Sequence, residues 1–390
     1  METMRTIGLV SVARSDYGIY RPVIRALQAD PQLELRVIAS GMHLSPDFGL
    51  TVQALEADGV PVAERVEMLL ASDSPAAISK SIGVGVLGFA QVYQRSRPDL
   101  LVVLGDRFEM YAAALAAVPF NIPIAHIHGG EVTNGAIDDV LRHSMTKMSH
   151  LHFVSAEPYG RRVIQLGEEP WRVVVSGAPA LDHLHALRPV EPELFHSRYG
   201  VDPRRPFLLA TYHPVTREFE QAEWQFGELL AALAELALPV LFTMANADTN
   251  GRIINAMIRD AAATYPWAHR VDNLGVEAYF SAMRYAVAMV GNSSSGIIEA
   301  ASFELPVVNV GSRQHGRARG ANVIDVPYRR HEILAGLRRA LAPDFRLSLR
   351  GMANPYGDGR AAERIAGVLR TVPLDQRLLM KSFYDLPPPR

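Results

Sequence analysis

The strongest constraint on this chain is an alternation, run twice, of short β-branched apolar stretches with longer amphipathic ones. Candidate buried strands fall at residues 6–11, 33–39, 100–104, 122–127, 151–154 and 173–175, with helical patterns such as 20–29 and 108–118 among them. Strands covered on both faces have no solvent side to make polar. Continuous apolar runs joined by helices therefore predict a parallel sheet with helices on both sides. Prolines, histidines and charges break the pattern from 177 to 206, which reads as a connection holding one helix. It restarts with strands at 207–211, 239–244, 269–271, 287–290 and 307–310, alternating with helices at 222–236, 251–263 and 276–285. The segments 360–369 and 374–384 read as helical. The expectation is α/β throughout: a Rossmann-like α/β/α domain over 1–180, a second over 181–370, and a C-terminal helix over 371–390 packing back on the first.

Composition narrows the function. A chain of 390 residues is too long for one ordinary core. Its 48% hydrophobic and 21% charged residues are the balance of a soluble globular protein. With 39 basic against 41 acidic residues the net charge is −2, so no basic footprint for nucleic acid and no polybasic membrane patch is present. An anionic ligand must be held by local geometry. With no cysteine, disulfides, zinc–thiolate sites, iron–sulfur clusters and thiol catalysis are excluded. The start, Met-Glu-Thr-Met-Arg, lacks the features of a signal peptide. The apolar stretch 112–127 is broken by Pro119, Asn121, Pro123 and His126, and is short for a membrane span. A cytoplasmic protein is expected.

One motif misleads. Gly83-Val84-Gly85-Val86-Leu87-Gly88 matches the dinucleotide fingerprint, which needs a strand before it and a helix opening after it. Here Ser74-Pro75 starts a helix upstream and the pattern runs on into Phe89, so the glycines read as a helix packed closely on a neighbour. The informative residues follow the predicted strands, at the edge where doubly wound sheets bind ligands. Arg14-Ser15-Asp16-Tyr17-Gly18 follows the first strand; Arg14 suits a diphosphate, while Ser15 or Asp16 also suits a helix cap. Gly105-Asp106-Arg107-Phe108-Glu109 ends the next long strand, and Asp106 reads equally as cap or acid–base group. His126-Ile127-His128-Gly129-Gly130-Glu131, then Asp138-Asp139, complete a carboxylate-rich edge suited to proton transfer. His126 and His128 share a face, as a metal pair or as hydrogen-bonding groups. In the second half His213 ends the first strand, either as a phosphate donor or as part of a linker turn. Gly291-Asn292-Ser293-Ser294-Ser295-Gly296 is a hydroxyl-rich strand-to-helix turn fit to cradle a pyrophosphate, with Glu299 able to accept a ribose hydroxyl. Arg313 follows the next strand, and Asn246 and Asp248 sit in a polar loop.

These segments, in this order, resemble the UDP-N-acetylglucosamine 2-epimerase family, closest to its hydrolysing branch. The resemblance runs from Arg14-Ser15-Asp16-Tyr17-Gly18 through Gly41-Met42-His43-Leu44-Ser45, Gly105-Asp106-Arg107 and Ile137-Asp138-Asp139. It continues to His213-Pro214-Val215-Thr216 and Gly291-Asn292-Ser293-Ser294, nearly the whole chain. It implies the glycosyltransferase-B arrangement, two Rossmann-like domains facing a cleft. It further implies Arg14 and His213 near the UDP phosphates, Ser293 and Ser294 on phosphate, Glu299 on the ribose, and Asp106 and Asp138 as acid–base residues around the sugar. Asp16, His43, Arg107, Asn246 and Arg313 are the other expected substrate contacts. The non-hydrolysing branch carries a catalytic Glu where this chain has His128; either His128 takes that role or Glu131 does.

The implied reaction removes the carbon-2 proton, with Asp106 favoured as base, while UDP leaves carbon 1. Water then adds to the 2-acetamidoglucal with the opposite configuration at carbon 2, giving free N-acetylmannosamine and UDP, as in sialic-acid-type sugar synthesis. No metal or redox cofactor is expected. UDP-N,N'-diacetylbacillosamine is the rival substrate, and a glycosyltransferase is the rival of another class. The expected partners are the UDP-sugar and further copies of the chain (a dimer or tetramer), with neither nucleic acid nor membrane.

Overall fold

A computed structural model describes residues 4–72, 74–133, 137–215, 220–245 and 251–387. The chain divides into two compact units: one runs to His183 and resumes at Tyr356, and the other spans Leu184–Pro355. The first holds β1 (Arg5–Ser11), β2 (Leu33–Ser40), β3 (Val62–Val66), β4 (Leu100–Leu104), β5 (Ile124–Ile127), β6 (Leu151–Val154) and β7 (Val173–Val175). Their order is β3-β2-β1-β4-β5-β6-β7, every adjacent pair parallel. The second holds β8 (Leu208–Thr211), β9 (Val240–Thr243), β10 (Ala268–Val271), β11 (Ala288–Gly291), β12 (Val307–Val310) and β13 (Val323–Val326), ordered β10-β9-β8-β11-β12-β13 and again parallel. Both are doubly wound sheets, so the fold class expected from the sequence is the one the chain adopts, two Rossmann-like units of glycosyltransferase-B kind.

The central strands follow from their composition: all of β4, Leu-Leu-Val-Val-Leu, is buried, as helices on both faces require. Two edge strands escape that logic. In β3, Glu64 and Arg65 break the apolar run because an edge strand faces water; Glu64 pairs with Arg95 at 2.6 Å and Arg65 with Glu56. In β13, Asp325 takes a 2.6 Å bond from Asn309 Nδ2 and pairs with Arg319. Neither strand reads as apolar in sequence, so both were missed.

The Gly83–Gly88 motif lies inside the helix Pro75–Arg95. A Cβ on Gly85 would come within 2.7 Å of Met68 and 2.9 Å of Ala112, and one on Gly88 within 2.6 Å of Val66. Gly85 and Gly88 are there for close packing, while Gly83 has open space beside it. This helix is the one segment among the described residues long and apolar enough to cross a membrane. It buries Gly85, Phe89, Val92 and Tyr93, with Phe89, Val92 and Tyr93 in the core of the first unit.

Two expectations change at the C-terminus. Residues 356–370 belong to the first unit, because the helix Ala361–Thr371 buries Ile365, Ala366 and Leu369 in its core. The second domain therefore ends at Pro355, not at 370. Beyond Thr371 only Gln376–Leu379 is helical among the described residues, not 374–384. The rest of the tail is held by side chains. Arg172, fully buried, donates to the carbonyls of Leu378 (2.8 Å), Arg377 (2.8 Å) and Met380 (3.2 Å), and Lys381 pairs with buried Glu168 at 2.7 Å.

Candidate active site

In the first unit β1 and β4 are neighbours whose following helices diverge, which is where a doubly wound sheet receives ligand. The helix after β1, Arg14–Ala29, opens on Arg14, whose side chain is exposed at its first turn. Asp16 is only 7% exposed, and its Oδ2 has no hydrogen-bond partner. Burial, opposed by Arg107 and reinforced by Glu109, pushes it up to about 6. After β2 the chain turns through Gly41 at φ +56, where a Cβ would lie 3.0 Å from Glu109 Cγ and 3.2 Å from the Val12 carbonyl. Glycine is what lets Glu109 pack there. His43 follows in the next turn. Its ring is wholly buried, with Nε2 2.8 Å from Ser11 Oγ and Nδ1 2.7 Å from Thr51 Oγ1. Burial, then Arg107, pushes it down to about 4. With both nitrogens engaged it braces the loop on β1.

The loop after β4 resolves the ambiguity at Asp106. The helix Phe108–Ala117 has Arg107 as its N-cap and no side-chain cap bond, so Asp106 is not the cap. Asp106 instead pairs with Arg142 on the helix Ile137–Met148, a residue 5% exposed that also donates to Thr133 Oγ1 at 3.1 Å. Asp138, on the same helix, is raised by burial and then by the Asp106 charge. Glu109 is 1% exposed with Oε2 unpartnered; burial raises it, Arg107 pulls back, and Asp138 pushes further. Arg107 is thus the common cation of Asp16, Glu109 and Asp138. Arg142 is the residue sequence reasoning missed, and Glu109 stood in the segment 105–109 without a role. The available signal was spacing: Arg142 lies four residues beyond Asp138, on one helix face.

The two histidines after β5 part company. His126 is wholly buried, its Nε2 2.8 Å from the Gly105 carbonyl and its Nδ1 3.3 Å from Thr146 Oγ1; burial takes it down to about 3. It is a bracing residue. Among the described residues no group of three or more His, Asp or Glu has the makings of a metal site. His128 adopts φ +64, a left-handed conformation uncommon outside glycine and frequent at functional sites. Its Nδ1 lies 2.5 Å from Glu131 Oε1, which also accepts from Ser155 Oγ at 2.7 Å. Its Nε2 is buried without a hydrogen-bond partner. Glu131 is only 5% exposed, so it orients His128 while the far ring nitrogen stays open.

In the second unit β8 and β11 form the equivalent pair. Gly291 ends β11 at φ +131, and a Cβ there would sit 2.0 Å from the Thr211 carbonyl oxygen. That contact lets the Asn292 amide donate to Thr211 O at 3.1 Å. Asn292 then clamps His213: the His213 amide donates to Asn292 Oδ1 and Asn292 Nδ2 donates to the His213 carbonyl, both at 2.7 Å. Arg313 (3.2 Å) and Gln314 (2.8 Å) donate to the Asn292 carbonyl. His213 is therefore a braced residue, not part of a loose linker. Burial, then Arg313, lowers it to about 4, so its ring is neutral at neutral pH.

Ser293 caps the following helical turn, Ser294–Ile298, accepting from the Ser295 amide at 3.3 Å. A cavity of about 400 Å³ opens there, lined by Thr211, His213, Thr243, Tyr279, Ser293 and Ser295. Burial raises the Tyr279 phenol, which faces the hydroxyls of Ser295, Thr211 and Ser293. Glu299, one turn on, is pushed up to about 7 by burial, and its Oε2 lacks a partner. Asn246, Asp248 and Thr216 lie outside the described residues.

One sheet edge rich in carboxylate and imidazole, and another rich in hydroxyl and amide, on two doubly wound units, define an α/β enzyme. The chain belongs to the UDP-N-acetylglucosamine 2-epimerase family, whose profile matches residues 25–370. It is 38% identical to the UDP-N,N'-diacetylbacillosamine 2-epimerase (hydrolyzing) of Legionella pneumophila, over 97% of this chain and 99% of that one. It is 39% identical to the GDP/UDP-N,N'-diacetylbacillosamine 2-epimerase (hydrolyzing) of Campylobacter jejuni, over 82% and 84%. In fold it matches UDP-GlcNAc 2-epimerase from Neisseria meningitidis bound to UDP-GlcNAc, with TM-score 0.80 at 18% identity over 93% of this chain and 99% of that one.

Proposed function

We propose that this chain is a cytoplasmic hydrolysing 2-epimerase acting on a UDP-linked 2-acetamido sugar. We take UDP-N,N'-diacetylbacillosamine as the substrate, because the relatives at 38% and 39% identity bear that name. UDP-N-acetylglucosamine, which the sequence put first, is the second reading, supported by the family description. The observation that carries the proposal is the set of carboxylates around Arg107, where Asp138 and Glu109 are raised while Asp106 is gripped by Arg142. Carboxylates at one edge, two raised by burial and one held in an ion pair, are what coupled proton removal and delivery needs.

In the elimination step Asp106 takes the carbon-2 proton, the carbon-1–oxygen bond breaks, and its electron pair leaves with UDP, forming the 2-acetamidoglucal. The Arg142 bond fixes which carboxylate oxygen is presented. In the second step water supplies hydroxide to carbon 1 and a proton reaches carbon 2 from the opposite side. His128, oriented by Glu131, and Asp138 are the groups for those transfers. The carbon-2 proton is only weakly acidic, so charge building on the departing diphosphate carries much of the barrier. Arg14, Arg313, the Ser293–Ser294 turn and neutral His213, acting as an N–H donor rather than a cation, serve there. Glu299 accepts a ribose hydroxyl. His43, Asp16 and Arg107 hold the first unit's loops and charges in place.

The test is incubation with each UDP-sugar in heavy water. Free sugar inverted at carbon 2 and carrying deuterium there, released with UDP, is the expected product. Transfer of the sugar to an added acceptor, with carbon 2 unlabelled, would overturn the reading in favour of a glycosyltransferase.

A further inference from the structure

The first unit holds a second opening that the reaction above does not use. It is a cavity of about 480 Å³, within the roughly 300–1,000 Å³ of small-molecule sites, and it shares Arg107 and Glu109 with the carboxylate cluster. Its walls are mostly apolar: Met42 and Phe48 from the turns after β2, Leu69 and Leu70 from the loop after β3, and Ile78 and Phe108 from two helices. Phe48 (48%) and Leu70 (41%) leave large apolar surface exposed at its rim. Into this lining come two buried polar groups with capacity to spare. Glu109, 1% exposed, has an unpartnered Oε2. Ser81, 2% exposed, accepts the Leu70 amide at 3.1 Å, which leaves its own O–H to donate. An unsatisfied acceptor and a spare donor buried in an apolar wall are costly unless a ligand completes them.

An acetamido group has the matching chemistry: an N–H to give, a carbonyl to receive, and a methyl to bury. We propose that this cavity is the subsite for a second N-acetyl group, making the first unit selective for 2,4-diacetamido sugars over 2-acetamido-4-hydroxy sugars. Glu109 accepts the second amide's N–H, Ser81 donates to its carbonyl, and Met42, Phe48 and Leu69 cover its methyl. A 4-hydroxyl cannot fill the apolar volume or satisfy both groups, so the discrimination is two-sided. The inference rests on the 2-epimerase reading and adds the residues that choose the sugar.

The experiment compares kcat/KM for UDP-N,N'-diacetylbacillosamine and UDP-N-acetylglucosamine in the full chain and in two variants. Wild type should favour the diacetamido sugar by at least tenfold. Ser81→Ala removes one donor and should lower that ratio about fivefold to tenfold, as expected for one hydrogen bond. Ala71→Trp, at an exposed position on the cavity wall, should lower it further by filling the space. Reading the same ratio as Kd in Asp106→Asn, where turnover is strongly slowed, separates selectivity from chemistry. A ratio unmoved in both variants, or a wild type favouring UDP-N-acetylglucosamine, overturns the subsite and leaves the 2-epimerase reading standing. Selective binding with no release of UDP from either sugar sinks the 2-epimerase reading and leaves the subsite standing.

Discussion

At the scale of single residues, the site is a set of carboxylates told apart only by their neighbours. Asp106 has a buried arginine on it, Asp138 has the Asp106 charge beside it, and Glu109 and Asp16 each bury an oxygen without a partner. Asp106→Asn removes the proposed base and keeps the shape. Turnover should fall by about 10²–10⁴ while the UDP dissociation constant changes less than threefold, measured by steady-state kinetics and calorimetry. Near-normal turnover would take Asp106 out of the base role. Asp16 makes a stability prediction. Its folded pKa, about 6 against an ordinary 3.8, is raised, so its contribution is fully present below about 3.8 and lost as pH rises through 6. At pH 7 the buried charge costs on the order of 1–3 kcal/mol. Asp16→Asn should therefore raise the melting midpoint of its unit by a few degrees at pH 7, with no gain at pH 4, while lowering activity. An equal gain at both pH values would show that the carboxylate's charge is not the cause.

At the scale of elements, both sites depend on how strands hand over to turns. Gly291 lies so close to the β8 carbonyl at Thr211 that any side chain must break the β8–β11 edge. Gly291→Ala should cost about 3 kcal/mol or more, from the clash and from the backbone conformation together. It should also abolish UDP binding, because the same turn carries Asn292, and through it His213. A soluble variant binding UDP normally by calorimetry would count against that coupling. The helix Ile137–Met148 is the other informative element, since Asp138 and Arg142 lie one turn apart on it. Its amphipathic pattern was open to inspection, but nothing in sequence pairs Arg142 with a carboxylate 36 residues earlier.

For the whole chain, the tail closes the first unit. Arg172 is sealed under the carbonyls of Arg377, Leu378 and Met380, and Glu168 gathers His152, Lys147 and Lys381. Burial alone would raise Glu168; bonds from His152 and the two lysines outweigh it and hold it at about 2. The sign follows: this contribution is present above its ordinary 4.5 and lost as pH falls through 2. Ending the chain at residue 371 leaves Arg172 with Glu169 and Glu168 with Lys147 and His152, but removes three carbonyl acceptors from the one and Lys381 from the other, and should cost about 1.5–3 kcal/mol, the usual worth of hydrogen bonds to a charged group. Urea unfolding of the truncated chain, followed by a probe in the first unit, should show a midpoint clearly below that of the full chain, and coincident midpoints would refute the tail's role.

What the sequence determined by itself is the part written in local pattern. Apolar runs with helical spacing specify two parallel sheets, because a strand covered on both faces has no other composition open to it. The glycines of the Gly83–Gly88 run declared themselves helical by context, and the strand ends located Arg14, Asp106, His128, His213 and Ser293 at the carboxyl edges of the two sheets. Tertiary structure decided what depends on residues far apart in the chain. It returned 356–370 to the first unit, since an apolar helix face does not say which core will bury it. It put Arg142 on Asp106 and bound both nitrogens of His43 and His126, turning two polar histidines into braces. It joined His128 to Glu131 and Ser155 as one hydrogen-bonded group, where the sequence offered His128 and Glu131 as alternatives. Burial and pairing set what a titratable side chain can do, and neither is a property of the residue alone.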